Sequence, residues 1–282
     1  MKTFRKPYRI KKKRSIFRNR FFWLGILIII FLFSIFYFLF FSEFFQLEKV
    51  IISGNEKVPV EDIRKLIEST IKKKILVFQT KSIFLTSKNQ IQEIVFRNFP
   101  QIAKVDFKKQ LPQTLVIKIE ERKPVAIVSS EKNDFLIDEE GIIFEEILGD
   151  NLQLIKIKGP NLEKEIKLGE KVVEKELLSQ ILEVKSQIEN ALKIPIVDEA
   201  GASSSPFANT NTRVTEVLIV SEERLNFKTF EGWEIYFNPQ KDSNWQLTKL
   251  KVDLENLIPF ERRKNLEYIE LRFGDSAPFK YR

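Results

Sequence analysis

AKVDFKKQLPQTLVIKIEERKPVA, residues 103–126, reads as two strands around a turn. Apolar and polar residues alternate through Val105 and Phe107 over residues 103–108, and through Leu115, Ile117 and Ile119 over residues 114–120. That period of two places successive side chains on opposite faces of a sheet. Gln110, Leu111, Pro112 and Gln113 interrupt the alternation and supply the turn. Toward the N-terminus, Pro100 closes a helix that starts near Thr86 or Ser87, either able to cap it, with Ile91, Ile94, Val95 and Phe99 on one face. Lys72, Lys73 and Lys74 separate it from an earlier helix. That helix opens at Pro59, puts Glu61 and Asp62 where the helix dipole is positive, and turns Ile63, Leu66 and Ile67 to one side. Leu47, Val50, Ile51 and Ile52 precede it as a strand ending in the turn Ser53-Gly54-Asn55. The order is β-α-α-β-β.

Further out, residues 21–42 run for 22 positions without a charge. At about 1.5 Å per residue a helix over them is roughly 33 Å long, enough to cross the hydrocarbon core of a bilayer. Ten lysines and arginines, from Lys2 to Arg20, stand ahead of the run with no acid among them. Loops rich in Lys and Arg stay inside, so residues 1–20 are expected to be a cytoplasmic tail and the residues after Ser42 to lie outside the cytoplasm. A cleaved signal would have a shorter apolar region and small residues before the cut, and this run ends in phenylalanines. Topology and attraction to anionic lipid explain the basic run, so nucleic acid is not expected as a partner. The charge division agrees: the chain is +8, its first 20 residues carry +10, and the remainder, with 37 basic and 39 acidic residues, carries −2.

The chain has no cysteine and no histidine. Disulfides, thiol nucleophiles, thiolate metal sites and the commonest general base are thereby excluded. Enzyme chemistry would have to rest on Ser with Lys or on paired carboxylates. The most prominent acids, Asp138, Glu139 and Glu140, precede Gly141 between the apolar stretches 135–137 and 142–144, which reads as a hairpin turn and not as an acid pair. No Gly-rich phosphate loop and no Gly-x-Ser-x-Gly elbow is present. Neither a metal nor a cofactor is expected.

From Pro124 onward the pattern changes. Val173, Leu177, Ile181, Val184, Ile188 and Leu192 fall on one helical face. Residues 198–213 are polar, rich in Ala, Ser, Asn and Thr, and read as a flexible loop. Strands follow at 214–220, 224–230 and 233–237, with Glu231-Gly232 as the tight turn between the last two. A helix then carries Leu247, Leu250, Leu254 and Leu257, and a strand over residues 266–273 follows it.

Three stretches carry a family resemblance: LEKVIISGN at residues 47–55, NFPQIAKV at 98–105, and PQTLVIKIEERKPVA at 112–126 with Leu136-Ile137-Asp138 and Gly141 beyond it. They resemble a POTRA domain of the FtsQ/DivIB bacterial cell-division type, and the later segments resemble that family's β domain. The resemblance implies an α+β chain: tail 1–20, transmembrane helix 21–42, POTRA domain 43–123, and a mixed β domain with antiparallel sheet over 124–282. It implies a non-enzymatic scaffold of the divisome in the cell (inner) membrane at the septum. Such a scaffold would bind FtsB- and FtsL-like partners outside the cytoplasm and other division components through the POTRA domain, linking division assembly to septal peptidoglycan synthesis. It also implies a partner contact at the last strand and just after it, here Arg272, Phe273, Ser276, Phe279 and Tyr281. Tyr268, Ile269, Leu271 and Phe273 could instead face the domain's own core, because alternation sends about half of a strand's side chains there. Two other classes are a POTRA-containing envelope chaperone or assembly factor, and a carboxylate-dependent wall hydrolase, which would need two acids about 5 to 10 Å apart.

Overall fold

The computed structural model describes residues 20–75, 78–130, 133–147, 154–162, 166–192 and 213–282. The basic tail up to residue 19 and all of the expected loop 198–213 except Arg213 lie outside the described residues. Contacts divide the described residues into two compact units: one holds those before Gly54 with those of Pro59–Gln92 and Asp106–Lys118, the other those of Gly54–Val58, Glu93–Val105 and Ile119–Arg282.

In the first unit the apolar run is one helix, α1 (Arg20–Phe41), with none of its residues buried in the protein. Among the described residues it is the one helix long and apolar enough to cross a membrane. β1 (Lys49–Ser53) runs parallel to β5 (Thr114–Glu121), from Lys49 opposite Thr114 to Ser53 opposite Lys118. α2 (Val60–Ile71) takes Pro59 as its N-cap and buries Ile63, Ile67 and Ile71, while Leu66 is half-buried. The lysines after it do more than interrupt a pattern. β2 (Lys73–Ile75) pairs with β3 (Phe78–Thr80) in an antiparallel ribbon between the helices. Strands of three residues are too short to show a period, so alternation could not reveal them. α3 (Lys88–Asn98) starts one residue beyond Ser87, whose carbonyl accepts from Ile91 N. β4 (Ile102–Gln110) completes a three-stranded sheet in the order β1-β5-β4. On β5 the alternation is realised: Leu115, Ile117 and Ile119 are buried and Lys118 and Glu120 exposed.

Glu121 ends β5 and Arg122 follows it, and both belong to the second unit. The Glu121 carboxylate accepts the backbone N–H groups of Glu56, Lys57 and Val58 at 2.8 to 3.0 Å, holding the turn that follows β1. Gly54 opens the turn with φ 88°, and a Cβ there would lie 2.2 Å from the Ile119 carbonyl oxygen. Arg122 pairs with Asp138 and donates from Nε to the Pro100 carbonyl at 3.0 Å. The other Asp138 oxygen accepts from Glu140 N and Ile142 N at 3.1 and 3.0 Å. The acidic cluster is therefore a turn. It joins β7 (Asp134–Ile137) to β8 (Ile143–Ile147) as the expected hairpin, with Gly141 at φ 75° against the Val173 carbonyl.

β6 (Ala126–Ser129), β7, β8, β9 (Lys156–Lys158), β10 (Val214–Ser221), β11 (Arg224–Thr229), β12 (Glu234–Phe237), β13 (Leu266–Glu270) and β14 (Phe279–Tyr281) form one nine-stranded sheet. Its order is β14-β13-β12-β11-β10-β9-β6-β7-β8. Pairing is antiparallel except at β12/β13, β9/β10 and β6/β9, which are parallel. α4 (Lys175–Leu192) and α5 (Ser243–Asn256) share one core with the sheet, centred on Trp233, Phe227, Phe237, Ile235, Leu178 and Ile181.

Both helices correct the expected faces. Val173 is buried but precedes α4, and Leu178 takes the buried position expected for Leu177. On α5 only Leu250 and Leu254 of the expected stripe are fully buried; Leu247 is half-buried and Leu257 is 58% exposed. The inner face is completed by Gln246, Lys249 and Asp253. Gln246 earns that place by bonding both ways to the Asn238 backbone, accepting from N and donating to O at 2.9 Å each.

Burial alone would raise the Glu121 pKa, but the three backbone donors outweigh it and hold the carboxyl below the usual glutamate value. A lowered folded pKa contributes stability that is complete above the ordinary value near 4.3 and is lost as pH falls through the folded value. Glu121→Gln should therefore cost about 1.5 kcal/mol at neutral pH. The difference from the parent should vanish in acid, as followed by thermal unfolding across pH.

Candidate functional site

The site expected at the end of the chain is built from β13, the loop after it, and β14. The expected strand over 266–273 is shorter than its pattern, because β13 ends at Glu270. Leu271 N still donates to the Tyr236 carbonyl at 2.9 Å, but Arg272 N turns back to Glu270 Oε1 at 3.0 Å, which ends the ladder. The chain then reverses and returns as β14, with Ile269 opposite Phe279, Tyr268 opposite Lys280, and Leu266 opposite Tyr281. The edge of the sheet is therefore β14 and not the strand expected to hold it. The other side of β14 pairs with no strand among the described residues.

A buried lysine shapes the reversal. Lys249 of α5, 5% exposed, donates from Nζ to the carbonyls of Leu271, Phe273 and Gly274 at 2.7, 3.1 and 3.1 Å. Three peptide oxygens that would otherwise point apart converge on one ammonium. Burial pushes the Lys249 pKa below the usual lysine value, while Asp275 and Glu270 pull it back.

The expected contact residues now separate by environment. Phe273 is 58% exposed, so the core reading does not apply to it; Ile269 and Leu271 are fully buried, and Tyr268 is half-buried. Arg272 is half-buried and fixed to Glu270 through Nε at 2.9 Å and a terminal nitrogen at 2.6 Å. That pairing raises its pKa. Its guanidinium lies 4.9 Å from the Phe273 ring centre and 5.7 Å from that of Tyr236. Lys241 approaches the Phe273 ring at 5.4 Å and donates to the Arg272 carbonyl at 2.9 Å. Ser276 is exposed, and Phe279 and Tyr281 are half-buried, packed against the core and each other.

Arg272 continues a layer on the sheet face away from that core. Tyr236 and Tyr268 stack with ring centres 4.9 Å apart, and the Arg224 guanidinium sits 4.4 Å over Tyr236. Desolvation, with Glu234 second, raises the Tyr236 pKa, so the ring stays a neutral phenol. At the end of β14, Tyr281 and Arg282 line an open cleft of about 390 Å³ with Arg262, Lys264 and Asn265. The cleft is basic. Sequence reasoning missed Lys249, Lys241, Tyr236 and Glu270. One signal was legible: Gln246, Lys249 and Asp253 share a helical stripe with Leu250, which would have shifted the inner face of α5 by one position.

Two of the three acids before Gly141 have partners. Asp138 holds Arg122 and its own turn, and Glu140 pairs with Lys175. Among the described residues no group of three acidic or other metal-ligating side chains could hold a metal ion.

Comparison with known proteins finds a matching family model and several similar proteins. The POTRA domain of FtsQ type matches residues 45–122. Cell division protein DivIB of Clostridium acetobutylicum is 31% identical over 162 residues, which are 55% of this chain and 60% of the relative. DivIB of Clostridium tetani is 23% identical over 190 residues, 65% of this chain and 70% of the relative. Cell division protein FtsQ of Rickettsia bellii is 37% identical over 97 residues, 34% of this chain and 33% of the relative. The match thus spans less than two thirds of the first and third of these proteins.

Lys249→Met keeps the length of the side chain and removes the donors. It should leave the sheet folded, cost about 1–3 kcal/mol, and release the loop, because three carbonyls lose their partner. Hydrogen exchange should rise at residues 272–276 and stay unchanged at β11 and β12. Uniformly raised exchange would instead make Lys249 a general core residue.

Proposed function

We propose that this chain, a member of the FtsQ/DivIB family of cell-division proteins, is a non-enzymatic bitopic membrane scaffold of the divisome that binds FtsB- and FtsL-type partners outside the cytoplasm. Through them it connects division assembly to septal peptidoglycan synthesis. The observation that carries the reading is the side of β14 that pairs with no strand among the described residues, beside a loop whose carbonyls Lys249 holds. An unpaired edge offers backbone donors and acceptors, and an extended partner segment can add to it as a further strand. Register would be set by neighbouring anchors. Phe273 is the exposed aromatic, Arg272 lies against its ring, Ser276 is exposed in the loop before β14, and Phe279 and Tyr281 lie on β14 itself. Other division components would bind through the POTRA domain. The basic run before α1 keeps the N-terminus in the cytoplasm and the sheet on the other side.

Phe273→Asp separates recognition from folding. A side chain 58% exposed contributes little to the core, so the melting temperature should hold, while affinity for an FtsB-type partner should fall roughly thirtyfold, the effect of losing one anchor worth about 2 kcal/mol. Unchanged affinity would move the interface elsewhere. Deleting residues 276–282 is a poorer test, since Ala277 is buried and β14 covers β13.

Topology and location are tested in cells. Protease added to spheroplasts should digest the C-terminal portion and spare the tail, and neutralising most of the ten basic residues should give mixed orientation. A fluorescent fusion should form a ring at midcell. An even membrane halo would count against the division role.

A further inference from the structure

The end of α1 is joined to the β2–β3 ribbon and the turn after it by side chains that serve the helix's last carbonyls. Ser82 Oγ donates to the Leu39 carbonyl at 3.0 Å, and Thr80 Oγ1 to the Phe40 carbonyl at 2.5 Å. Gln46 Nε2 also donates to the Phe40 carbonyl, at 3.2 Å, while Gln46 Oε1 accepts from Lys81 N at 2.6 Å. A helix end leaves its final carbonyls without partners, and these donors satisfy them. Leu39 lies two residues before the last helical residue, Phe41, or about 3 Å along the axis. A side chain bonded to that carbonyl stands at the boundary between hydrocarbon and headgroups when α1 spans the bilayer.

The residues after Ser82 have the character such a level demands. The short turn Ile83–Leu85 buries Ile83 and leaves Phe84 39% exposed. Ring contacts run without a break from the span to this turn: Phe38 to Phe45 at 5.6 Å, Phe45 to Phe44 at 4.9 Å, and Phe45 to Phe84 at 5.1 Å. Phe44 is 56% exposed. Two cations belong to the same region, Lys81 standing three residues before Phe84. Lys81 is exposed, and Lys109 reaches the Phe84 carbonyl through Nζ at 3.4 Å. Exposed phenylalanine rings with lysines beside them are the composition of interfacial segments, which seat the ring at the headgroup–acyl boundary while the ammonium meets lipid phosphate.

We propose that Ile83–Leu85 is a second membrane contact, with Phe84 and Phe44 seated in the headgroup layer of the bilayer that α1 crosses and Lys81 and Lys109 against its phosphates. The domain that follows the span is then held against the membrane and does not swing on a tether. The inference rests on α1 spanning the bilayer and is independent of the division role.

The chain has no native cysteine, so single labelling sites can be introduced in the full-length protein. Phe84→Cys, Lys81→Cys, Ile30→Cys and Lys65→Cys would each carry a nitroxide label in vesicles of phosphatidylcholine and phosphatidylglycerol. Collision with oxygen and with a water-soluble nickel chelate then reports depth. The label at 30 should be deep, those at 84 and 81 at headgroup depth, and the one at 65, on the exposed face of α2, in water. Lys81→Cys leaves the Phe84 ring in place and guards against local disruption by the first variant. A deep label at 30 with aqueous labels at 84 and 81 overturns the docking alone, whereas an aqueous label at 30 overturns the span and the docking with it. Shielding at 84 that disappears when protein is diluted in lipid would assign the cover to a second copy, and the proposal fails.

Discussion

The ion pair between Arg122 and Asp138 is the constraint from which the second unit is laid out. Both side chains are nearly enclosed, 11% and 6% exposed, so neither charge can be left alone. Removing one partner of such a pair costs about 3–5 kcal/mol, although a hydrophobic pair of equal volume could match its stability. Its effect is therefore more on position than on energy. Arg122 also reaches the Pro100 carbonyl, and Asp138 closes its own turn, so three segments distant in sequence meet at one point. The β7–β8 hairpin leaves from that point, and the sheet builds from β6 outward to β14.

The two faces of that sheet do different work. On the helix side Trp233, Phe227 and Phe237 are completely enclosed, and each contributes on the order of 2 kcal/mol by the area it removes from water. On the other side the Tyr236–Tyr268 stack and the Arg224 contact are half-exposed, where ring and cation contacts contribute about 0.5–1.5 kcal/mol each. Burial wins as the source of stability. The outer layer instead sets shape and charge beside the edge strand, and Arg272 ties the two together by contacting both Tyr236 and Phe273.

Legibility in the sequence followed the strength of the local period. The alternation of β5 predicted its burial residue by residue, and the apolar run of α1 predicted its helix to within a residue. The acidic turn before Gly141 was readable because polar residues and a glycine interrupt two apolar stretches, and the structure adds why glycine stands there: a Cβ would run into the Val173 carbonyl. Short or compensated patterns were not readable. β2 and β3 are three residues each, and α5 hides its inner face because Gln246 and Lys249 are polar yet buried. A buried lysine looks like a solvent-facing one until the carbonyls it serves are in place.

The sequence by itself determined the long apolar helix, the succession of β1, α2, α3, β4 and β5 around residues 47–121 without the ribbon between the helices, and the alternation that gives the longer strands an inside and an outside, because these depend on neighbours within a few positions. Tertiary structure alone decided which strand closes the sheet. β13 has the stronger pattern, but the reversal at Arg272 sends the chain back, and β14 takes the edge through pairing with a strand about a dozen residues earlier. The same holds for Phe273. Alternation allows it either face, and it is exposed because Arg272 N turns to Glu270 and ends the ladder before it, while Lys249, from a helix more than twenty residues away, holds the carbonyls of the reversal.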